Sequence, residues 1–458
     1  MGVTLNGIFQ IGLSGLKAQT AALSVISQNL TNSSTPGYDR EIVNLSNVSA
    51  DSTQGAMGSG VNVDSVQRVT DPLATGNYQY ALGQQGQSTL LNQSTSSVQN
   101  ALGSINGPNL GTALGDFFDA FQNLTTDPSD LALRQVAVSG AGEVASYFNG
   151  VSQQLDQVQA GLDQGVSGLS GQINSLLGQV ATLNQQIGVA STAGNTPNDL
   201  LDQRDQALNT LSGLINVDVT QSNNEVILSC GGVSLVSGAV ATQIQVDTSG
   251  THPALMTAAG TDLAPASGQA AGYAQSYQAL DSTRASLDQL ANAFSGQINA
   301  LTTSGYDLNG NPGQALFTGS GAANIAVNPA MAANPALLAL GSTAASGDAG
   351  VATQITQLQD ENTVPPGSGA QATFQGAYTD LVTTVGSAAQ QAGNMQTNFT
   401  QLASTLQQQI QGITGVSSDE ELTNMLAVQQ AYQAAAQIIS TVNNVMENML
   451  TTMGVISG

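Results

Sequence analysis

His252 and Cys230 are the only histidine and the only cysteine in 458 residues, and neither stands where catalysis would need it. His252 lies in Ser249-Gly250-Thr251-His252-Pro253, with no cysteine or carboxylate pattern of a metal site nearby. A lone histidine also leaves a Ser-His-Asp arrangement without alternatives, so it reads as a solvated loop side chain. Cys230 sits between Val226-Ile227-Leu228 and Gly231-Gly232, with nothing basic close in sequence to generate a thiolate. It reads as a small apolar residue at a strand end. Asp307-Leu308-Asn309-Gly310-Asn311 carries the first three alternating oxygens of a calcium loop. Pro312-Gly313 follows, however, and Thr318 stands where the loop needs a bidentate Glu, so a hairpin turn is the better reading. No glycine-rich phosphate loop precedes a helix. The expectation is a protein that is not an enzyme, with no catalytic residue, no metal and no cofactor.

Composition narrows the partners. Six basic residues face 30 acidic ones, a net charge of -24, yet only 8% of residues are charged, so solubility rests largely on Gln, Asn, Ser and Thr. So acidic a chain repels nucleic acid and anionic membranes, and neither nucleic-acid binding nor membrane insertion is expected. No apolar run approaches a membrane span, and the N-terminus lacks the basic and apolar regions of a signal peptide. Asn6 stands where myristoylation wants Ser or Thr, so any export is expected to use a signal-less route. A single cysteine forms no internal disulfide.

With no chemistry to position, the elements must serve something else. From Ser418, small or apolar residues recur at Met425, Val428, Tyr432, Ala435, Ile439, Val442, Met446, Met449 and Met453, spaced alternately three and four. That is a coiled-coil seam, and a seam implies a partner. Ser418 and Glu421 have capping-box spacing, acidic residues 419–421 suit the helix N-terminus, and Gly454 supplies a stop. The candidate partner is the first helix, with Phe9, Leu16, Leu23 and Leu30 sevenfold apart and Ile26 on a nearby face. The two segments have similar lengths, ~43 and ~40 Å at ~1.5 Å per residue. Gly7, Gly12 and Gly15 interrupt the first at ~1 kcal/mol each, so both ends are expected to be weakly helical until paired. Leu422, Ile438, Val445 and Leu450 lie outside the strict seam and offer a second contact face.

Between the ends, 144–187 carries thirteen apolar positions at coiled-coil spacing with one extra four-residue step at Leu162 to Val166. Gly161, Gly165, Gly168 and Gly171 mark a candidate bend there. Phe117, Phe118 and Phe121 read as core, and Thr196-Pro197 as the cap and first turn of another helix. Alternating pieces across about 215–265 read as strands, and Pro365-Pro366-Gly367 as a linker. The expected fold is mainly α with a smaller β domain. Paired terminal coiled-coil helices (1–49 with 416–458) carry an elongated helical rod domain (50–210 with 271–304 and 370–415). Into that is inserted a small β-rich outer domain (211–270 with 305–369).

Asn29-Leu30-Thr31-Asn32-Ser33-Ser34-Thr35-Pro36-Gly37-Tyr38-Asp39-Arg40 closely resembles the N-terminal signature of the flagellar axial proteins: rod, hook and hook-associated. Asp127-Pro128 with Leu131, Ala132 and Arg134, then 197–205 (Pro-Asn-Asp-Leu-Leu-Asp-Gln-Arg-Asp) and 305–310 (Gly-Tyr-Asp-Leu-Asn-Gly), favour the hook-associated branch. The resemblance implies a structural subunit secreted through the flagellar type III apparatus and built into a ring or helical homo-oligomer at the hook-filament junction. Its implied partners are further copies of itself, the hook protein, the next hook-associated protein or filament side, and an export chaperone at the C-terminal helix. The residues carried over are structural: Asn29, Asn32, Pro36, Gly37, Tyr38 and Arg40 after the first helix, and Asn198, Asp199, Asp202, Arg204 and Asp205 at a helix start. The chain departs from the family pattern at Thr31, Asp39 and Glu41, and by lacking a large second outer domain between Gly313 and Phe374. The alternative is a secreted coiled-coil translocator or adhesin, with the terminal helices as stalk and the β domain for recognition.

Overall fold

A computed structural model describes residues 5–48, 60–103, 109–192, 196–222, 225–365 and 371–452. Met453 and Gly454, and Pro366-Gly367 of the expected linker, lie outside the described residues. The fold is mainly helical, with a few small sheets. In chain order the elements are α1 (Leu5–Asn32), β1 (Glu41–Asn47), β2 (Val61–Arg68), α2 (Pro72–Leu102), α3 (Leu110–Leu124), α4 (Leu131–Thr192) and α5 (Asn198–Leu214). Then follow β3 (Asp218–Ser222), β4 (Glu225–Cys230), β5 (Val233–Ser237), β6 (Val240–Ala241), β7 (Ile244–Asp247), β8 (Ala254–Thr257) and α6 (Gly268–Ser304). The remainder is β9 (Phe317–Thr318), β10 (Ala326–Val327), α7 (Pro329–Ala333), α8 (Gly350–Gln357), α9 (Phe374–Thr414) and α10 (Ser418–Thr452).

Two compact units form. The first gathers residues 1–82, 173–243 and 400–458. In it β1 and β2 pair antiparallel, with a register shift between Asn44 and Leu45, and β3 to β6 make a four-stranded sheet in sequence order. Alternation along β4 buries Val226, Leu228 and Cys230 and turns Glu225 and Ile227 outward, the two-residue period of a half-covered strand. Asn184 of α4 anchors this sheet: its amide nitrogen donates to the carbonyls of Val226 and Gly238, and its oxygen accepts from Val226 N–H and from Arg204. Fully buried, it has every polar atom satisfied, which is what keeps a buried amide from being costly.

The second unit gathers residues 83–172 and 244–399. Its core is aromatic. Phe117, Phe118, Phe121, Phe148, Phe294, Phe317 and Phe374 are all buried, with ring centroids such as Phe117–Phe294 5.1 Å apart in edge-on contact. The expectation that the 117–121 phenylalanines are core holds. Asn109 caps α3 by accepting from Thr112 N–H. Buried Arg134 clasps two carbonyls, donating to Pro128 and Leu338 at 2.6 Å each, and burial pulls its guanidinium down to about 10.

Two local expectations need correcting. Helix α4 is unbroken across Gly161 to Gly171. Leu162, Val166, Leu169 and Ile173 are all buried, so the extra four-residue step keeps one line facing the core of a continuous helix, and most of the glycines face open space. At α5 the cap is Pro197, with no side-chain bond, not Thr196; the Thr196 carbonyl instead accepts from Asn198 N–H.

Candidate functional site

The terminal helices pack against each other. A Cβ on Gly12 would lie 2.9 Å from Ile439 Cγ1, and one on Gly15 would lie 3.7 Å from Ala435 Cβ, while Leu16 and Thr20 share a groove with Tyr432. Residue numbers rise on α1 as they fall on α10, so the pair is antiparallel. Glycines that look like interruptions in sequence are thus the points of closest approach, where the absence of Cβ lets two helices touch. Ile26 and Val442 are buried; Phe9, Leu16, Leu23, Leu30, Met425, Val428 and Ile439 are half-buried; Tyr432, Met446 and Met449 are exposed. The most covered line on α1 is Gly12, Ala18, Val25, Ile26 and Asn29, rotated slightly from the sevenfold set. Helix α10 starts with Glu421 N–H donating to the Ser417 carbonyl, so Ser417 rather than Ser418 holds the cap position. The second face is open: Leu422, Ile438, Val445 and Leu450 are 38–47% exposed, although Ile438 Cγ2 also comes within 3.5 Å of a Cβ placed on Gly12.

At the base of the pair, the loop after α1 is tied shut. Buried Asn29 donates to the Glu41 carbonyl and accepts from Glu41 N–H and Tyr38 Oη, each at 2.9 Å. One amide thereby satisfies both backbone groups of Glu41. Burial, reinforced by the Glu41 and Asp202 charges, pushes the Tyr38 phenol up, so it stays a donor. Asn32 accepts from Thr35 Oγ1, the Pro36 carbonyl accepts from Gln206 Nε2 at 2.6 Å, and Gly37 adopts φ +76° against Gln206, where a Cβ would overlap. Arg40 joins the two termini, its N–H donating to the Thr414 carbonyl and its guanidinium pairing with Glu420 at 3.5 Å.

Helix α5 ties this loop to β2 and α2 with one polar stripe at helical spacing. Asn198 donates to the Val66 carbonyl, Asp202 and Asp205 meet Arg68 at 2.5 and 2.9 Å, Gln206 holds Pro36, and Asn209 accepts from Gln79. Asp39 also reaches Arg68, at 3.3 Å, and its N–H donates to Asp202. Three carboxylates therefore share one guanidinium. Burial lifts Asp202 to about 6 against the pull of Arg68, and burial raises Asp39 too. Asp199 lies in the first turn, and Arg204 points instead to Asn184. Sequence reasoning found Asp202 and Asp205 but missed Arg68 and Asp39 as their partners. Sequence marked Arg68 only as one of six cations and could not say which carboxylates it meets.

The residues that could have carried chemistry are placed otherwise. His252 is not a solvated loop side chain. Its Nε2 is 2.7 Å from Asp281 Oδ2 and its ring stacks on Tyr277 with centroids 4.3 Å apart, fastening the β7–β8 turn to α6. Cys230 is fully buried, and burial pushes its thiol up to about 11, which removes it as a nucleophile at neutral pH. Asp307 spends its carboxylate on its own turn, Oδ1 accepting from Asn309 and Asn311 N–H at 2.8 Å each around Gly310 at φ +77°. Although burial opposes it, those bonds hold the acid below its usual range. The hairpin-turn reading holds. No helix of the described residues is long and apolar enough to cross a membrane.

Three family models match the chain. “Flagellar hook-associated protein FlgK helical domain” covers residues 95–317, “Flagella basal body rod protein” residues 9–38, and “Flagellar basal body rod FlgEFG protein C-terminal” residues 407–452. Flagellar hook-associated protein 1 of Salmonella typhimurium is 30% identical over 332 residues, 69% of this chain and 60% of that protein. Its namesake in Escherichia coli is 26% identical over 551 residues, which cover 97% of this chain and 100% of that protein. The chain belongs to the flagellar hook-associated protein 1 family. The matched region spans 60% of the length of the Salmonella member of this family. The Bacillus subtilis member is 25% identical over 499 residues, which cover 96% of this chain and 97% of that protein. The solved structure of the flagellar hook junction protein FlgK from Burkholderia pseudomallei shares the fold, with a TM-score of 0.65 at 18% identity over 74% of this chain and 100% of that one.

Proposed function

We propose that the chain is a structural, non-enzymatic subunit of the bacterial flagellum that self-assembles into the zone joining hook to filament after type III export. The observation that carries this reading is the terminal pair. The rod-type family models match 9–38, which holds most of α1, and 407–452, which holds all of α10, and these helices zip together while leaving an apolar stripe outward. A stripe of that kind on an otherwise polar, weakly charged chain is a surface for a neighbour. Copies would stack through head-to-tail contacts, which generate rings or helical zones rather than closed pairs. In this reading 1–49 with 416–458 form the inner domain, with the helical and β-rich parts outside it. The coiled-coil set Phe9, Leu16, Leu23, Ile26, Leu30, Met425, Val428, Tyr432, Ile439, Val442, Met446 and Met449 forms the pair that assembly needs, and the outward stripe of Leu422, Ile438, Val445 and Leu450 meets neighbouring copies. The hook protein and the next hook-associated protein or filament side are its axial neighbours, and an export chaperone takes the C-terminal helix before assembly.

The test is removal of residues 418–458. The shortened chain keeps its helical circular dichroism in proportion to length but fails to restore filament retention in a strain deleted for the full chain. Normal filament retention by the shortened chain defeats the proposal.

A further inference from the structure

Five of the six cations are engaged. Arg40 pairs with Glu420, Arg68 with three aspartates and Arg284 with Asp156, while Arg134 holds two carbonyls and Arg204 an amide. Lys17 alone makes neither hydrogen bond nor ion pair among the described residues. It is exposed at an open, shallow groove of about 440 Å³ along the α1–α10 pair, lined by Leu16, Thr20, Ala21, Ser24 and Tyr432. Thr20, Ala21 and Ser24 are the small members of this lining, beside the larger Leu16 and Tyr432.

The complementary surface lies further along α10. Met446, Met449 and Leu450 are 39–52% exposed, and Glu447 stands among them, exposed and without an ion pair among the described residues. The antiparallel register set by Gly12 with Ile439 and Gly15 with Ala435 puts Leu5, the first described residue of α1, level with about residue 446. Flexible methionines beside one anion complement, in apolar character and in charge, an open groove lined by Leu16, Ala21 and Tyr432 beside one cation.

We propose that Lys17 receives Glu447 of a second copy of this chain, whose Met446, Met449 and Leu450 fill the groove. The same register puts Lys17 level with residues 433–434, some thirteen residues from Glu447, or ~20 Å at ~1.5 Å per residue. Within one chain the two side chains cannot meet. A neighbour lying parallel and displaced by that ~20 Å brings its methionines to the groove and its Glu447 to Lys17 in one movement. The contact is head-to-tail and fixes the axial stagger between copies, and it rests on the assembly function proposed above.

The test uses the full chain. In assembled material, Lys17→Cys with Glu447→Cys gives an oxidative ladder of multimers. The parent chain, whose only thiol is buried Cys230, gives none. Lys17→Glu or Glu447→Lys alone raises the concentration needed for assembly about tenfold, the scale of turning an exposed attraction into a repulsion. The double exchange restores assembly, which excludes misfolding as the cause. Single variants that assemble like the parent, together with no ladder, overturn the Lys17–Glu447 contact and leave the assembly function standing. A parent chain that neither assembles nor restores filament retention overturns both.

Discussion

Asn29 does for the loop after α1 what a strand partner does for a strand. It supplies one donor and one acceptor to Glu41, with Tyr38 Oη on the same oxygen. Asn29→Ala leaves two buried backbone groups without partners, and a loss of about 2–3 kcal/mol in urea unfolding is expected, since each orphan costs ~1–3 kcal/mol. Asn29→Asp keeps the acceptor but not the donor, so only the Glu41 carbonyl is orphaned and the loss is smaller. Asp202 makes a different prediction. Its folded pKa of about 6 lies above the unfolded value of 3.8, so the folded state holds this proton more tightly. The resulting advantage is complete below the unfolded value and is lost as pH rises through about 6. Stability measured by urea midpoints therefore declines across pH 4 to 6, and Asp202→Asn flattens that decline. An unchanged slope in the variant refutes the assignment to Asp202.

At the scale of elements, the periodic parts of the fold and the pairing of the two terminal helices were legible, and the polar contacts between elements were not. Helix α4 declared itself through thirteen spaced apolar residues, of which Val144, Phe148, Leu155, Ile173 and Ile187 are buried as expected. The α1 and α10 seams declared themselves too, because a helix that buries one face must repeat every three or four residues. What periodicity could not reveal is which neighbour a polar side chain finds across 134 residues, as Arg68 finds Asp202. Nor could it show that Gly12 is a contact rather than a defect, since a residue without a side chain leaves no mark in an apolar pattern. Gly12→Leu is expected to push α10 away at Ile439 and cost ~1–3 kcal/mol, the usual range for overpacking. Hydrogen exchange reads this directly, with faster exchange along 8–20 and 432–442 while α4 is unaffected. In the parent monomer the last turns of α10 already exchange faster than α4, because their side chains are mostly exposed.

For the whole molecule, charge sets the conditions under which copies can gather. A net charge of -24 with almost every cation engaged internally means that neighbours meet as two anions. The proposed Lys17–Glu447 contact is an exposed pair worth at most ~1 kcal/mol, and salt weakens it. Repulsion summed over the remaining charges acts at longer range and is weakened more, because the screening length falls from ~30 Å at 0.01 M to ~8 Å at 0.15 M salt. Apolar burial of Met446, Met449 and Leu450 is indifferent to such modest salt. The sum predicts that the concentration required for self-assembly falls as salt rises over this range, measured by sedimentation of the full chain. In the Lys17→Glu variant the fall is steeper, because one more repulsion is there to screen. Assembly that weakens with salt shows instead that ion pairs dominate the contact between copies, contrary to a chain with five of its six cations already engaged.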